Sequence, residues 1–175
     1  MNIAGNILSI LLLAGIAIQD FRSRSIYVWL LPAIVVTMLM AAIGRAEISV
    51  LLYPDFTINV ALLTFQLVVL WLFVSFRRKA WTNIINSHIG AGDILLLVCL
   101  TPFFSPVNYF VLFTTSSILA LLMVLLMRVL KQKTEEYIPF AGVLGLPLMV
   151  LCALRLILPD VVVFTNSDWF YNFLV

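Results

Sequence analysis

Long apolar runs constrain this chain more than any other feature of its sequence. A membrane-spanning helix needs roughly 20 mostly apolar residues, and four runs come close to that length: 3–19, 26–44, 57–76 and 140–158. The composition agrees, since 64% of the residues are hydrophobic and 10% are charged, whereas a soluble domain is about 45–50% apolar and about 25% charged. We therefore predict an all-α polytopic membrane protein whose surroundings are a lipid bilayer.

Residues 94–127 decide how many times the chain crosses the bilayer. One straight helix there would be about 51 Å long, against a hydrocarbon core of roughly 30 Å, and Pro102 and Pro106 interrupt it. Two spans give six crossings and place eight of the ten basic residues on one side, whereas one span splits them five against four. Because basic loops stay in the cytoplasm, we predict about six transmembrane helices with both termini outside.

The remaining composition excludes several other classes of function. A net charge of +2 is too small to indicate a nucleic-acid partner. Cys99 and Cys152 both lie inside apolar runs without metal-ligand spacing, so we predict that they are core residues. No metal and no cofactor is expected.

Two aspartates stand at the boundaries of apolar runs. Asp20 directly follows the first run, and Asp93 directly precedes another after Gly90-Ala91-Gly92. The six-helix topology places both at the cytoplasmic side, where they are able to meet. Two facing carboxyl groups share one proton, so that one activates water and the other protonates a peptide carbonyl. Gly90 and Gly92 remove side-chain bulk and permit unusual backbone angles, so that a peptide can approach Asp93.

Simpler roles for the same aspartates remain open at this point. Asp is a favoured residue at a helix N-terminus, so Asp93 is equally suited to capping. Asp20 is suited to a loop ion pair with Arg22 or Arg24. The residues alone thus leave a peptidase, a membrane assembly component and a small transporter as alternatives, although Gln66 is the clearest polar residue deep within a predicted span.

Three ordered motifs resemble the type IV prepilin peptidase family. The first is Asp20-Phe21-Arg22 with Ile26 six residues after the aspartate, and the second is the GxGD motif at residues 90–93. The third is residues 136–142, Glu-Tyr-Ile-Pro-Phe-Ala-Gly, which is similar to the segment that opens the last helices of that family. The chain departs from the family pattern at Tyr27, where a proline is usual, and at Leu95, where a lysine is usual.

The resemblance implies a membrane aspartic endopeptidase that removes the basic leader of prepilin-like proteins on the cytoplasmic side of the inner membrane. It implies that Asp20 and Asp93 are the catalytic pair. We expect Gly90, Gly92, Arg22 and Pro139 to contact the substrate. Residues 1–175 are expected to form one peptidase domain without zinc or methyltransferase activity. A catalytically inactive relative that serves as a membrane assembly component is the alternative.

Overall fold

Six α-helices account for most of the described structure. The computed structural model describes residues 3–23, 25–43, 55–79, 81, 89–130 and 139–157. Helices make up 90% of these residues, and no β-strand is present among them. The helices are α1 (Ile3–Ser23), α2 (Leu30–Ile43), α3 (Asp55–Arg78), α4 (Ala91–Leu100), α5 (Pro106–Val129) and α6 (Phe140–Ile157). The all-α prediction is confirmed, whereas residues 136–138 of the third motif and Arg24 lie outside the described residues.

Four of these helices are long and apolar enough to cross a membrane. They are α1, α3, α6 and most of α5. α2 and α4 are shorter apolar helices, and α4 with its ten residues is only about 15 Å long. The chain is therefore a multi-pass membrane protein, while six crossings and the outside location of both termini stay predictions.

Several helix boundaries differ from those expected from hydropathy. α1 continues to Ser23, so Asp20 lies in its last turn instead of following it, and α2 begins at Leu30 instead of residue 26. Asp93 lies in the first turn of α4 and not before it. For α1 the physical reason is that backbone hydrogen bonding continues past the end of an apolar run until another interaction ends the helix. The Ser23 hydroxyl, for example, donates to the Gln19 carbonyl at 2.9 Å.

The proline-containing segment between α4 and α5 breaks the long apolar region, as predicted. A 3₁₀ turn, Thr101–Phe103, separates the two helices. The buried Asn59 of α3 holds this bend, since its side-chain amide donates to the carbonyl oxygens of Thr101 at 2.9 Å and Phe104 at 2.7 Å. α3 and α4 are thereby fixed to each other at one end.

α1 and α6 form the centre of the bundle. In their most apolar windows 39% and 44% of the residues are buried within the protein, against 17% in those of α3 and α5. The contact between α1 and α6 is close because Gly142 and Gly145 remove side-chain bulk beside Ala17. Cys152 is buried in the hydrophobic core, and the partly buried Cys99 packs against that core. The prediction that both cysteines are core residues is confirmed.

Candidate active site

The start of α6 is the element that organises the candidate site. The Val143 amide donates to the Pro139 carbonyl at 3.1 Å, the first hydrogen bond of the helix. The amides of the preceding helical residues therefore have no acceptor within α6, as in every helix. Such a helix end donates hydrogen bonds and carries partial positive charge, so it binds anionic groups.

Asp20 and Asp93 accept hydrogen bonds from two successive amides of this turn. The Ala141 amide donates to Asp93 Oδ1 at 2.9 Å, and the Gly142 amide donates to Asp20 Oδ2 at 2.6 Å. The two carboxyl groups are close enough to interact electrostatically. Both side chains are buried, with 5% of Asp20 and 8% of Asp93 exposed. Side chains 73 positions apart in the sequence thus converge on one helix end.

Asp93 has a second hydrogen bond within its own helix. The Gly90 amide donates to Asp93 Oδ2 at 3.2 Å, which caps the start of α4. The capping role considered for Asp93 therefore exists, but it occupies one oxygen while the other binds α6. The corresponding interpretation of Asp20 as a loop charge is wrong, because Asp20 is buried and lies inside α1.

Gly90 has ordinary extended backbone angles, with φ −66° and ψ 139°. The expectation that it adopts an unusual backbone conformation is therefore wrong. Its small size is what matters, because a Cβ atom there would lie 2.9 Å from Asp93 Oδ2. A Cβ atom at Gly92 would lie 3.3 Å from the Cδ1 atom of Ile26. Gly90 leaves room for the Asp93 carboxyl group, and Gly92 leaves room for the segment before α2.

Gly142 allows α6 to approach α1 closely enough for Asp20 to reach it. A Cβ atom at position 142 would lie 3.1 Å from Cε2 of Phe21 and 3.3 Å from the Ala17 carbonyl oxygen. A larger residue would push the two helices apart. Residues 141 and 142 were part of the third motif, but no side-chain chemistry marks them, since both contribute only backbone amides to the site.

The other predicted site residues differ in their position relative to Asp20 and Asp93 and in their exposure. Gly90 and Gly92 flank Asp93 at the start of α4, and the buried Pro139 directly precedes α6. Arg22 lies two residues after Asp20 on α1 but is exposed. Leu95, the position where the family usually has a lysine, is 45% exposed on the side of α4 away from the core. A cation at that position would therefore lie at the protein surface.

The described residues provide no group of three His, Cys, Asp or Glu side chains that is able to hold a metal ion. The start of α6 brings together two carboxyl groups that are held by backbone amides. Paired carboxyl groups carry out general acid and base catalysis.

A comparison with protein families places the chain in a known family. The profile of the type IV leader peptidase family matches residues 7–125. The chain belongs to the type IV leader peptidase family. Membership in this family implies a protease. The matched range contains Asp20 and Asp93 and ends before α6, so the contacts of these two aspartates with α6 come from the structure alone. No curated protein and no solved structure gives a significant match.

Proposed function

We propose that this leader peptidase family member is an aspartic endopeptidase with Asp20 and Asp93 as its catalytic pair. The observation that carries the proposal is the pair of buried carboxyl groups on successive amides of α6. Two like charges in such proximity do not both ionise readily, so the pair holds one proton. The partial positive charge of the α6 N-terminus stabilises the negative charge that remains.

The shared proton supports peptide hydrolysis without a covalent intermediate. The ionised carboxylate takes a proton from a water molecule, whose oxygen attacks the peptide carbonyl carbon. The protonated carboxyl group donates its proton to the carbonyl oxygen. Collapse of the tetrahedral intermediate breaks the C–N bond. The leaving nitrogen takes up a proton from the pair, and one hydroxyl group of the intermediate returns its proton to the pair as the new carbonyl forms. One carboxyl group is then protonated again, as it was at the start.

The substrate class follows from the family and from the distribution of charge. We propose that the substrate is a prepilin-like protein and that the cut removes its basic leader at the cytoplasmic side of the inner membrane. Gly90, Gly92, Arg22 and Pro139 are the proposed substrate contacts, because they lie around the two aspartates or, for Arg22, two residues after Asp20 in the chain.

The test is co-expression with prepilin-like proteins from the same genome, with leader loss followed by a gel shift. We expect the wild type to cleave at least one of them, and Asp20→Asn and Asp93→Asn each to reduce cleavage by at least about a thousandfold, as expected for groups that act as a unit. Asp55→Asn is the matched control, because Asp55 lies at the far end of α3, and its activity is expected to equal that of the wild type.

Two results would contradict the proposal. One is an Asn variant that cleaves at the wild-type rate. The other is a correctly inserted wild type that leaves every prepilin-like protein intact, which would favour the alternative of an inactive relative that serves as an assembly component. Membrane insertion and thermal stability of each variant are measured in parallel, so that loss of cleavage is separated from loss of folding.

A further inference from the structure

An apolar groove opens beside Asp93 between α3 and the α4–α5 pair. Its volume is about 490 Å³, and α3 provides one wall through Leu63, Gln66, Leu67, Leu70 and Phe73. Leu63, Gln66, Leu70 and Phe73 are spaced three or four residues apart, and Leu67 lies beside Gln66, so these positions form one face of the helix. The groove extends about 15 Å along that face, since Leu63 and Phe73 are ten residues apart.

The relative position of α3 and α4 puts Asp93 at the depth of the middle of this groove. Asn59 of α3 is bonded to the Thr101 carbonyl after α4, and residues that follow Asn59 on α3 line the groove together with residues that precede Thr101 on α4. Leu67 lies eight residues after Asn59 along α3, and Asp93 lies eight residues before Thr101 along α4. At equal rise per residue these two positions have a similar depth, so Gln66 and Asp93 face the same part of the groove.

Gln66 brings an unsatisfied acceptor to this apolar surface. Its Oε1 atom is shielded from solvent and accepts no hydrogen bond from any residue that the structure describes. Another polar group that lines the groove, the Ser117 hydroxyl on the α5 wall, already donates to the Phe113 carbonyl at 2.8 Å. An unpaired carbonyl oxygen away from water is costly, which points to a donor that is present only when the groove is occupied.

We propose that the groove binds the apolar segment of the substrate next to the scissile bond, and that Gln66 Oε1 accepts a backbone N–H of that segment. This inference rests on the proposed function. A peptide cut by the aspartates must be unwound at the cleavage site, and an unwound segment has backbone N–H groups that lack partners in a bilayer. The apolar walls exclude the basic leader, so the groove holds the chain on the other side of the cut.

A lipid acyl chain explains the groove less well, because it has no donor for Gln66. A second copy of the chain would have to insert a segment into a groove that opens on Asp93 and would thereby block the candidate site. The substrate is the occupant that satisfies both the apolar walls and the Gln66 oxygen.

Kinetics on the full-length protein in lipid vesicles test the role of Gln66. We expect Gln66→Leu to lower kcat/KM about three- to tenfold, the range for one hydrogen bond to a neutral group, through a higher KM. Thr64→Val is the matched control, because the exposed Thr64 hydroxyl bonds to the Val60 carbonyl of its own helix, and no change is expected.

Ester substitution in a synthetic prepilin-like substrate separates recognition from a structural effect. Each backbone N–H after the cleavage site is replaced in turn by an ester oxygen, which removes the donor. One ester is expected to slow the wild type about three- to tenfold and to have no further effect on Gln66→Leu. Additive effects at every position would overturn the assignment of Gln66 as the acceptor.

Photo-crosslinking tests the location of the segment. A photoreactive residue at Leu70, in the groove, is expected to capture the substrate in the Asp20→Asn background, whereas one at Phe65, which is 66% exposed, is not. Capture at Phe65 alone would overturn the assignment of the groove as the binding site.

If the wild type cleaves normally but Gln66→Leu is unchanged, this inference fails and the proposed function stands. If the wild type cleaves nothing, both fail.

Discussion

Asp20 occupies a position that its own helix does not favour. It lies in the last turn of α1, where the partial charge of the helix end is negative and a carboxylate is unfavourable. The start of α6 supplies the compensating amide. The sequence identified Asp20 by its position directly after an apolar run and by the Asp20-Phe21-Arg22 motif, and identified Asp93 by the GxGD pattern. The sequence could not decide between capping and catalysis for Asp93, because both roles need the same residue at a helix start. The structure shows that the two carboxyl oxygens of Asp93 have separate partners.

Substitution of the two glycines of α6 tests the close approach of α1. We expect Gly142→Ala to lower cleavage about tenfold, because Phe21 and the Ala17 carbonyl force the new methyl group and the Gly142 amide away from Asp20. Gly145→Ala is the matched control, since its Cβ atom would meet its nearest neighbours at 3.6 and 3.8 Å. Equal activity of the two variants in the prepilin assay would contradict this explanation.

At the level of elements, hydropathy predicted where helices occur but not which helix ends meet. Apolar runs mark spans because each span must bury its backbone in lipid. The convergence on α6 depends on contacts between residues 48 and 122 positions apart. These contacts use backbone amides, which every residue except proline has, so no residue type at 141 or 142 signals them. The proline break after α4 was predictable, whereas Asn59 as its support was not.

Replacement of Asn59 tests how the bend between α4 and α5 is held. We expect Asn59→Leu to destabilise the protein by about 2–3 kcal/mol, because two buried carbonyl oxygens lose their donor. Asn59→Asp keeps the shape but an ionised Asp has no donor, so it is expected to be at least as damaging. Thermal unfolding in detergent measures both, and stability of either variant equal to the wild type would contradict the assignment.

At the level of the whole molecule, the positions of the basic residues set the proposed orientation. The aspartates and the basic end of α3 share one side if all six helices cross. The sequence predicted this topology from the charge balance, and the structure adds that both aspartates do share one depth.

Fusions of topology reporters test this arrangement. A fluorescent protein attached after Lys79 is expected to report the cytoplasm, and an alkaline phosphatase attached after Val175 is expected to report the outside. A C-terminus in the cytoplasm would contradict the predicted topology of six spans with both termini outside. Full-length expression of each fusion is checked by immunoblot.

Chemical crosslinking tests the central geometry, in which residues 20 and 93 meet at the start of α6. Cys99→Ala and Cys152→Ala remove the native thiols, and Asp20→Cys with Asp93→Cys is treated with a short bifunctional thiol reagent in native membranes. Mass spectrometry is expected to find the two peptides linked within one chain, and to find no link when Asp20→Cys is paired with Leu95→Cys on the exposed side of α4. A link to position 95 but not to position 93 would contradict the account.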